Sequence, residues 1–522
     1  LGMGPFSVTG QPNAMGGREV GGLANMLACH MELTNPTHRA IVQRHWASPV
    51  MAQQPGLKAV DLFEAIHDGR IKALWVMATN PSVSLPQAGR VDDALAKVPF
   101  LAVSDVITNT DTLRHADVAL PAAAWGEKDG TVTNSERRIS RQRQFMPLPG
   151  EVRADWAIMC HVAQRMGFEG FNYTGPHEIF DEYAALSALE KDGSRDFDIG
   201  GLTGLSPTEY DVMRPVMWPA RKGKRPVTRF FANGGFFTPD GRGRLLPAEF
   251  AAPEKRAPRY PFTLNTGRVR DQWHTMTRTG RAATLSAHIA EPYAELHPDD
   301  AQALGIDAAE LVTIESPHGA VIVRALVTDR QRRGSVFVPF HWNDATSRGA
   351  RVDTLVAPLT DPVSGQPALK SSRVAVRPFG AGFYGFAVTR ERRAPDCEYF
   401  ARATLAGGHA LEFGGSTLAD PWALAKALIG TDGLVSVVDK AAGSYRYASF
   451  ADGVLEGAVF IARGPVSVSR AFLTAAIGQP CDAAAILAGR PAQDQPDPGP
   501  TVCACFKVGA NTIRAAAAEG AM

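Results

Sequence analysis

The sequence predicts an α/β chain: a Rossmann-like parallel-sheet region, then a β-barrel, then a small α+β tail. Three observations carry this. Short apolar runs alternate with amphipathic helical stretches between about residues 60 and 120. The hydrophobic period falls toward two after Pro261, and the pattern changes again after Phe379.

In the first region, Asp61–His67 has helical spacing and Ala73–Met77 is a short apolar run ending at Thr79-Asn80-Pro81. A second helical stretch, Val91–Val98, leads to the run Phe100–Val103, which stops at Ser104-Asp105. Residues 109–115 read as helical, and Asp117–Leu120 as a strand ended by Pro121. Such alternation argues for a parallel sheet covered on both faces, whose ligands sit at the carboxyl ends of the strands. Asn80, Ser104 and Asp105 stand at those ends, where turn formation alone would also explain them.

Residues 217–260 are rich in Pro, Gly and Arg and read as a connection with short hairpins at best. From Pro261, strands are predicted at Phe262–Leu264, Leu311–Glu315, Val321–Val327, Val336–Val338 and Val374–Val376, with a helix at Pro298–Leu304 and a turn at Pro317-His318-Gly319. Many strands and little helix over residues 261–378 suggest a barrel. In 379–491, Leu434–Val438, Tyr445–Phe450 and Val454–Ile461 form a predicted meander, and 467–488 is helical. Residues 492–500 are a linker, and 501–522 start a further small unit.

Composition bounds the function. The 522 residues amount to three or four ordinary domain lengths. With 54 basic against 53 acidic side chains, bulk charge offers no reason to expect nucleic acid as a partner. No apolar run approaches the roughly 18–20 residues of a membrane span. Six cysteines do not make a disulfide scaffold.

The chemistry concentrates in a few segments. Cys503 and Cys505 form a C-x-C pair, whose thiolates suit a soft metal or an iron–sulfur cluster. Cys29, Cys160, Cys397 and Cys481 stand singly and read as buried apolar residues. His30, His38 and His45 recur at spacings of eight and seven, roughly along a helix face; a metal site would want tighter spacing and carboxylates, so they read as structural. Thr9–Gly22 combines glycines that permit close backbone approach with Gln11, Asn13 and Arg18. Thr266–Gly280 brings together Arg268, Arg270, Trp273, His274, Thr275 and Arg278 directly after a strand, a set suited to a pyrophosphate or other polyanion.

With these segments in view, the chain resembles the molybdopterin-dinucleotide oxidoreductases and, within them, the bacterial assimilatory nitrate reductases. The matching strings are GPFSVTGQPNAMGGREVGG, ATNP at 78–81, VSD at 103–105, DVALPAAAWGEKDGTVTNSERR at 117–138, TGRVRDQWHT at 266–275, FVPFHW at 337–342 and LTDPVSGQPALK at 359–370. The resemblance implies a pterin-binding barrel of the double-psi type. It implies a molybdenum bis(molybdopterin guanine dinucleotide) cofactor and reduction of nitrate to nitrite in the cytoplasm. Asn80, Ser104, Asp105, Lys128 and Asp155 match positions that hold one guanine dinucleotide. Thr266, Gly267, Arg268, Trp273, His274, Thr275, Phe340, Asp353 and Lys370 match barrel contacts to the pterins; at 353 better-known relatives carry Asn. Thr9, Gln11 and Arg18 match the substrate side, with Thr9 where related formate dehydrogenases carry arginine.

The tail resembles a small domain of flavoprotein reductases, and TVCACFKV the start of a two-iron ferredoxin-type domain that Cys503 and Cys505 would serve. A flavoprotein, ferredoxin or flavodoxin is the implied electron donor. The family's four-iron domain, its cysteine ligand to molybdenum and a second C-terminal cysteine pair lie outside the sequence, which reads as an internal fragment. Two rivals stand beside this reading. One is a cytoplasmic formate dehydrogenase of the same fold; the other is a non-catalytic electron-transfer subunit without molybdenum.

Overall fold

The computed structural model describes residues 13–191, 193–224, 227, 229–247, 257–491, 501–503 and 508–521. Strands Leu74–Met77, Leu101–Asp105 and Val118–Pro121 lie side by side in sequence order, all parallel. Helices Ala59–His67 and Ala88–Lys97 bury Phe63, Ile66, Val91, Ala94 and Leu95 against Val76, Leu101 and Val103. The parallel order puts all three carboxyl ends on one edge. Residues 109–115, predicted as a helix, form only the 3-10 turn Leu113–His115, because Asn80 takes both the backbone N–H and the hydroxyl of Thr112.

The barrel is closed and has six strands: Phe262–Gly267, Tyr293–Leu296, Leu311–Ser316, Gly319–Val327, Ser335–Pro339 and Arg373–Pro378. Alternate residues such as Leu264, Val312, Ile314, Val323, Val336, Val338 and Val374 are fully buried in it. The two-residue turn Pro317-His318 joins two antiparallel strands as the sequence indicates, and Pro298–Leu304 is helical. The connection 217–260 contains, among its described residues, no strand beyond Val216–Met217 at its start.

The predicted meander is present as Leu434–Asp439, Ser444–Ala451 and Val454–Ala462, but it is part of a larger sheet. That sheet has seven strands and adds Phe383–Thr389, Tyr399–Thr404, His409–Gly415 and the short Ser347–Arg348. The last of these comes from the barrel's own sequence span. A charged network stitches sheet to barrel: Arg324 meets Glu291 at 2.9 Å and Glu412 at 3.5 Å, Arg470 meets Glu412 at 2.8 Å, and the Tyr399 hydroxyl donates to Glu291 at 2.8 Å. The predicted helical span 467–488 is two helices, Arg470–Ala476 and Ala483–Ala488, separated around Gly478, whose φ is +73°. Among the described residues no helix is long and apolar enough to cross a membrane.

Candidate active site

The carboxyl edge of the parallel sheet and the loops of the barrel meet. Ala78 leaves the first strand in a left-handed conformation (φ +54°), which turns the chain so that buried Asn80 faces inward. The Asn80 carbonyl accepts from the Thr112 amide at 3.1 Å and hydroxyl at 2.7 Å. Its amide donates to the Thr275 hydroxyl at 3.3 Å, joining residues 195 positions apart in the sequence. Asn80 is thus the pin between sheet edge and barrel loop.

Ser104 is buried and accepts from the Trp75 indole at 2.8 Å, leaving its own proton to donate. Asp105 accepts from the Val106 amide at 2.6 Å. Burial raises its pKa, against the pull of nearby Arg278, and Asp155 adds a like charge close by. Lys128 pairs with Asp155 at 2.5 Å. Asp105, Lys128, Asp155 and Arg278 therefore form one mixed-charge group beside the strand ends.

On the barrel side, the Lys370 ammonium donates to the Thr266 carbonyl and lies 5.9 Å from the Phe340 ring centre. The Thr266 hydroxyl donates to Leu369 O at 2.8 Å, and Phe340 N donates to Gly267 O at 3.0 Å. His274 (φ +46°) and Met276 (φ +58°) hold the loop in left-handed turns that bulky residues adopt only when their surroundings fix them. Trp273 and His274 are half-buried, and burial with Arg278 lowers the His274 pKa. Arg268 is exposed.

The loop is fixed largely by residues that the sequence reading did not single out. His341 is fully buried; its Nε2 accepts from Val269 N at 2.9 Å, so its Nδ1–H donates to His274 O at 2.6 Å. Burial lowers its pKa to about 4, which keeps it in this neutral tautomer. The Asn343 amide donates to Thr275 O. The string FVPFHW holds His341, and a polar residue directly after a buried strand is the signal that would have found it.

Asp353 lies 3% exposed in the 3-10 turn Val352–Leu355, with no hydrogen bond to its Oδ1. Burial lifts its pKa to about 8, opposed by Lys370 and Arg351. The Trp342 indole N–H, also buried, has no partner either. A buried carboxyl oxygen and a buried indole N–H, both unmatched, are each costly unless a ligand meets them.

The remaining residues are not brought into this group. Arg18 is exposed on the helix Ala14–Glu19, and its guanidinium makes no hydrogen bond or ion pair with the described residues. The helix itself is anchored by buried Glu19, which accepts from Trp218 Nε1 at 2.5 Å and the Thr133 hydroxyl at 2.8 Å. Thr9, Gln11 and Cys505 lie outside the described residues, as does the side chain of Cys503. Cys503 ends the strand Thr501–Cys503, and Arg270 donates to Val502 O at 2.8 Å, so this strand lies against the barrel loop. Among the described residues no group of three or more His, Cys, Asp or Glu is arranged to hold a metal ion. His30, His38 and His45 each make a structural hydrogen bond, with Asp196, Glu32 N and Glu182 O, although the buried Nε2 of His30 has no partner among the described residues. Cys29, Cys160 and Cys397 are buried free thiols.

Two family models match the chain: "Molybdopterin oxidoreductase" over residues 6–165 and "Molydopterin dinucleotide binding domain" over residues 262–373. A nitrate reductase of Klebsiella oxytoca is 43% identical over 99% of this chain and 60% of its own length. The assimilatory nitrate reductase catalytic subunit of Bacillus subtilis is 34% identical over 71% of this chain and 51% of its own. An F420-dependent formate dehydrogenase alpha subunit of Methanocaldococcus jannaschii is 33% identical over 66% and 49%. The chain spans 60% or less of the length of these relatives. The chain belongs to the molybdopterin oxidoreductase family.

Proposed function

We propose that the chain is part of an enzyme that reduces nitrate to nitrite at a molybdenum bis(molybdopterin guanine dinucleotide) centre. The observation that carries the reading is the joint between the sheet edge and the barrel loop at Asn80 and Thr275, flanked by the unmatched carboxyl of Asp353. The residues present fit such a group. Asp105 offers the paired acceptors that a guanine edge, with its two adjacent N–H donors, requires. Asp353 offers an acceptor, and Trp342 a donor, for a pterin ring. Lys128, Lys370, Arg268 and Arg278 supply cations for diphosphates.

When bound, molybdenum supplies two-electron oxygen-atom transfer, and the protein supplies orientation and electrostatics. In this reading Asn80 and His341 hold the barrel loop rigid, and Asp105 and Asp353 fix the two ends of the cofactor. Burial keeps the Asp353 carboxyl protonated near neutral pH until a donor arrives. The resemblance assigns Thr9 and Gln11 to the substrate side, and Arg18, exposed on its helix, would draw in the anion, its planar fork matching nitrate oxygens. Cys503 and Cys505 would supply two ligands to a two-iron cluster that takes electrons from a flavoprotein, ferredoxin or flavodoxin and, with a four-iron cluster, would serve the cytoplasmic enzyme. The contact of Arg270 with Val502 supports entry on the barrel-loop side.

Formate oxidation is the second reading, favoured by the 33% identity to a formate dehydrogenase subunit. Nitrate-dependent oxidation of a reduced viologen by the full-length protein, set against formate-dependent reduction of the oxidised dye, separates the two. Turnover with nitrate alone supports the proposal, and turnover with formate alone overturns it.

A further inference from the structure

A cavity of about 260 Å³ lies between the loop that follows Asp105, the barrel loop after Thr275 and the C-terminal sheet. None of the residues proposed to hold the cofactor lines it. Asn109, Arg281, Arg392, Arg402 and His409 do, and no aspartate or glutamate is among its walls.

Its charge is one-sided for a structural reason. Neighbouring arginines are neutralised: Arg393 pairs with Glu391, and Arg348 with Asp396 at 3.2 Å. Arg281, Arg392 and Arg402 have no carboxylate within ion-pair distance among the described residues. Arg392 and Arg402 instead both donate to the carbonyl of Ala345, the former at 2.8 Å, and Arg402 also donates to Arg393 O at 3.0 Å. Backbone carbonyls position the two guanidinium forks without cancelling their charge. Burial, and after it the neighbouring Arg392, lowers the pKa of Arg402 to about 10. His409 adds a buried Nδ1 with no partner.

We propose that this cavity binds a single inorganic oxyanion, held by the forks of Arg392 and Arg402 with Arg281 completing the charge. Oxyanion geometry suits planar, bidentate arginine donors. The volume falls below the roughly 300–1,000 Å³ of pockets for drug-sized molecules, so a nucleotide is too large. The site is separate from the proposed cofactor site and does not depend on the reduction proposed above.

Isothermal titration calorimetry on full-length holoenzyme tests it, with phosphate, sulfate and nitrate in separate arms at constant chloride. At least one oxyanion should bind the wild type and bind Arg392→Gln about tenfold or more weakly, as loss of one charge-assisted hydrogen bond gives. Phosphate or sulfate as the responding arm identifies a tetrahedral ligand, and nitrate a trigonal one. Arg402→Gln should act in the same direction, but Arg402 is half-buried and holds the Arg393 carbonyl as well as that of Ala345, so the exposed Arg392 carries the test. Heat unchanged between wild type and Arg392→Gln in every arm, or no binding to the wild type, overturns the proposal. Because phosphate and sulfate need no turnover, either result is distinct from failure of the nitrate reading.

Discussion

The Asp353 carboxyl gives opposite effects with and without the cofactor, and that reversal can be measured. Burial holds its pKa at about 8 and leaves it 3% exposed, whereas an unfolded aspartate loses its proton above about pH 3.9. Between these values the folded chain binds a proton that the unfolded chain does not, so the stability of cofactor-free protein falls as pH rises through the window. At pH 7 the window is about three pH units deep, and at about 1.36 kcal/mol for each, the carboxyl costs the cofactor-free fold about 4 kcal/mol. Asp353→Asn keeps the shape and removes the ionisation. In full-length protein from a host unable to make the cofactor, it should raise Tm at pH 7.5 by roughly 5–15 °C. It should also flatten the decline of Tm between pH 5 and 8. In cofactor-loaded protein Asp353→Leu, which keeps the size and removes both acceptors, should lose the cofactor faster on dialysis. Scanning fluorimetry across pH reads the first effect. A Tm at pH 7.5 that is unchanged or lower in cofactor-free Asp353→Asn would refute the reasoning.

Four further outcomes follow from the same geometry. Asn80→Ala leaves the Thr112 amide unmatched and takes a partner from the Thr112 and Thr275 hydroxyls in a buried joint, and should cost about 2–4 kcal/mol in chemical denaturation; a cost below about 0.5 kcal/mol would remove Asn80 as the pin. His341, with a folded pKa of about 4 below the ordinary histidine value, stabilises the fold above pH 6.5. That contribution should be lost as pH falls toward 4, by about 3 kcal/mol; His341→Gln should lose this pH dependence in denaturation curves. Glu412→Ala takes the carboxylate partner from Arg470 at the seam between barrel and sheet, while Arg324 keeps Glu291, and should destabilise by about 1.5–3 kcal/mol, read as a lower denaturant midpoint. Arg18→Ala should raise the nitrate KM several-fold at unchanged kcat, and an unchanged KM would end its role in drawing in the anion.

The parallel sheet and most barrel strands were legible because their signals are local: short apolar runs, alternation, and turn residues at the ends. Tyr293–Leu296 was missed. Only four residues long, it is defined by pairing with Arg324–Val327 rather than by its own composition. Phe383–Thr389 and His409–Gly415 were missed because their glycines weaken the strand signal. The packing nevertheless requires one of them, since a Cβ on Gly385 would lie 2.0 Å from the Phe413 ring. At the site, the residue types at the strand ends and in Thr266–Thr275 were readable. The Asn80–Thr275 joint was not, since nothing in either segment names its partner, and neither was the support given by His341 and Asn343.

Sheet edge and barrel are proposed to hold two guanine dinucleotides around molybdenum. The most direct measurement is the molybdenum and guanine-nucleotide content of the full-length protein after acid release, on one purified sample. Molybdenum is expected together with guanine nucleotide in the ratio that two dinucleotides per metal give. Protein that contains neither, purified from cells that make the cofactor, would contradict it.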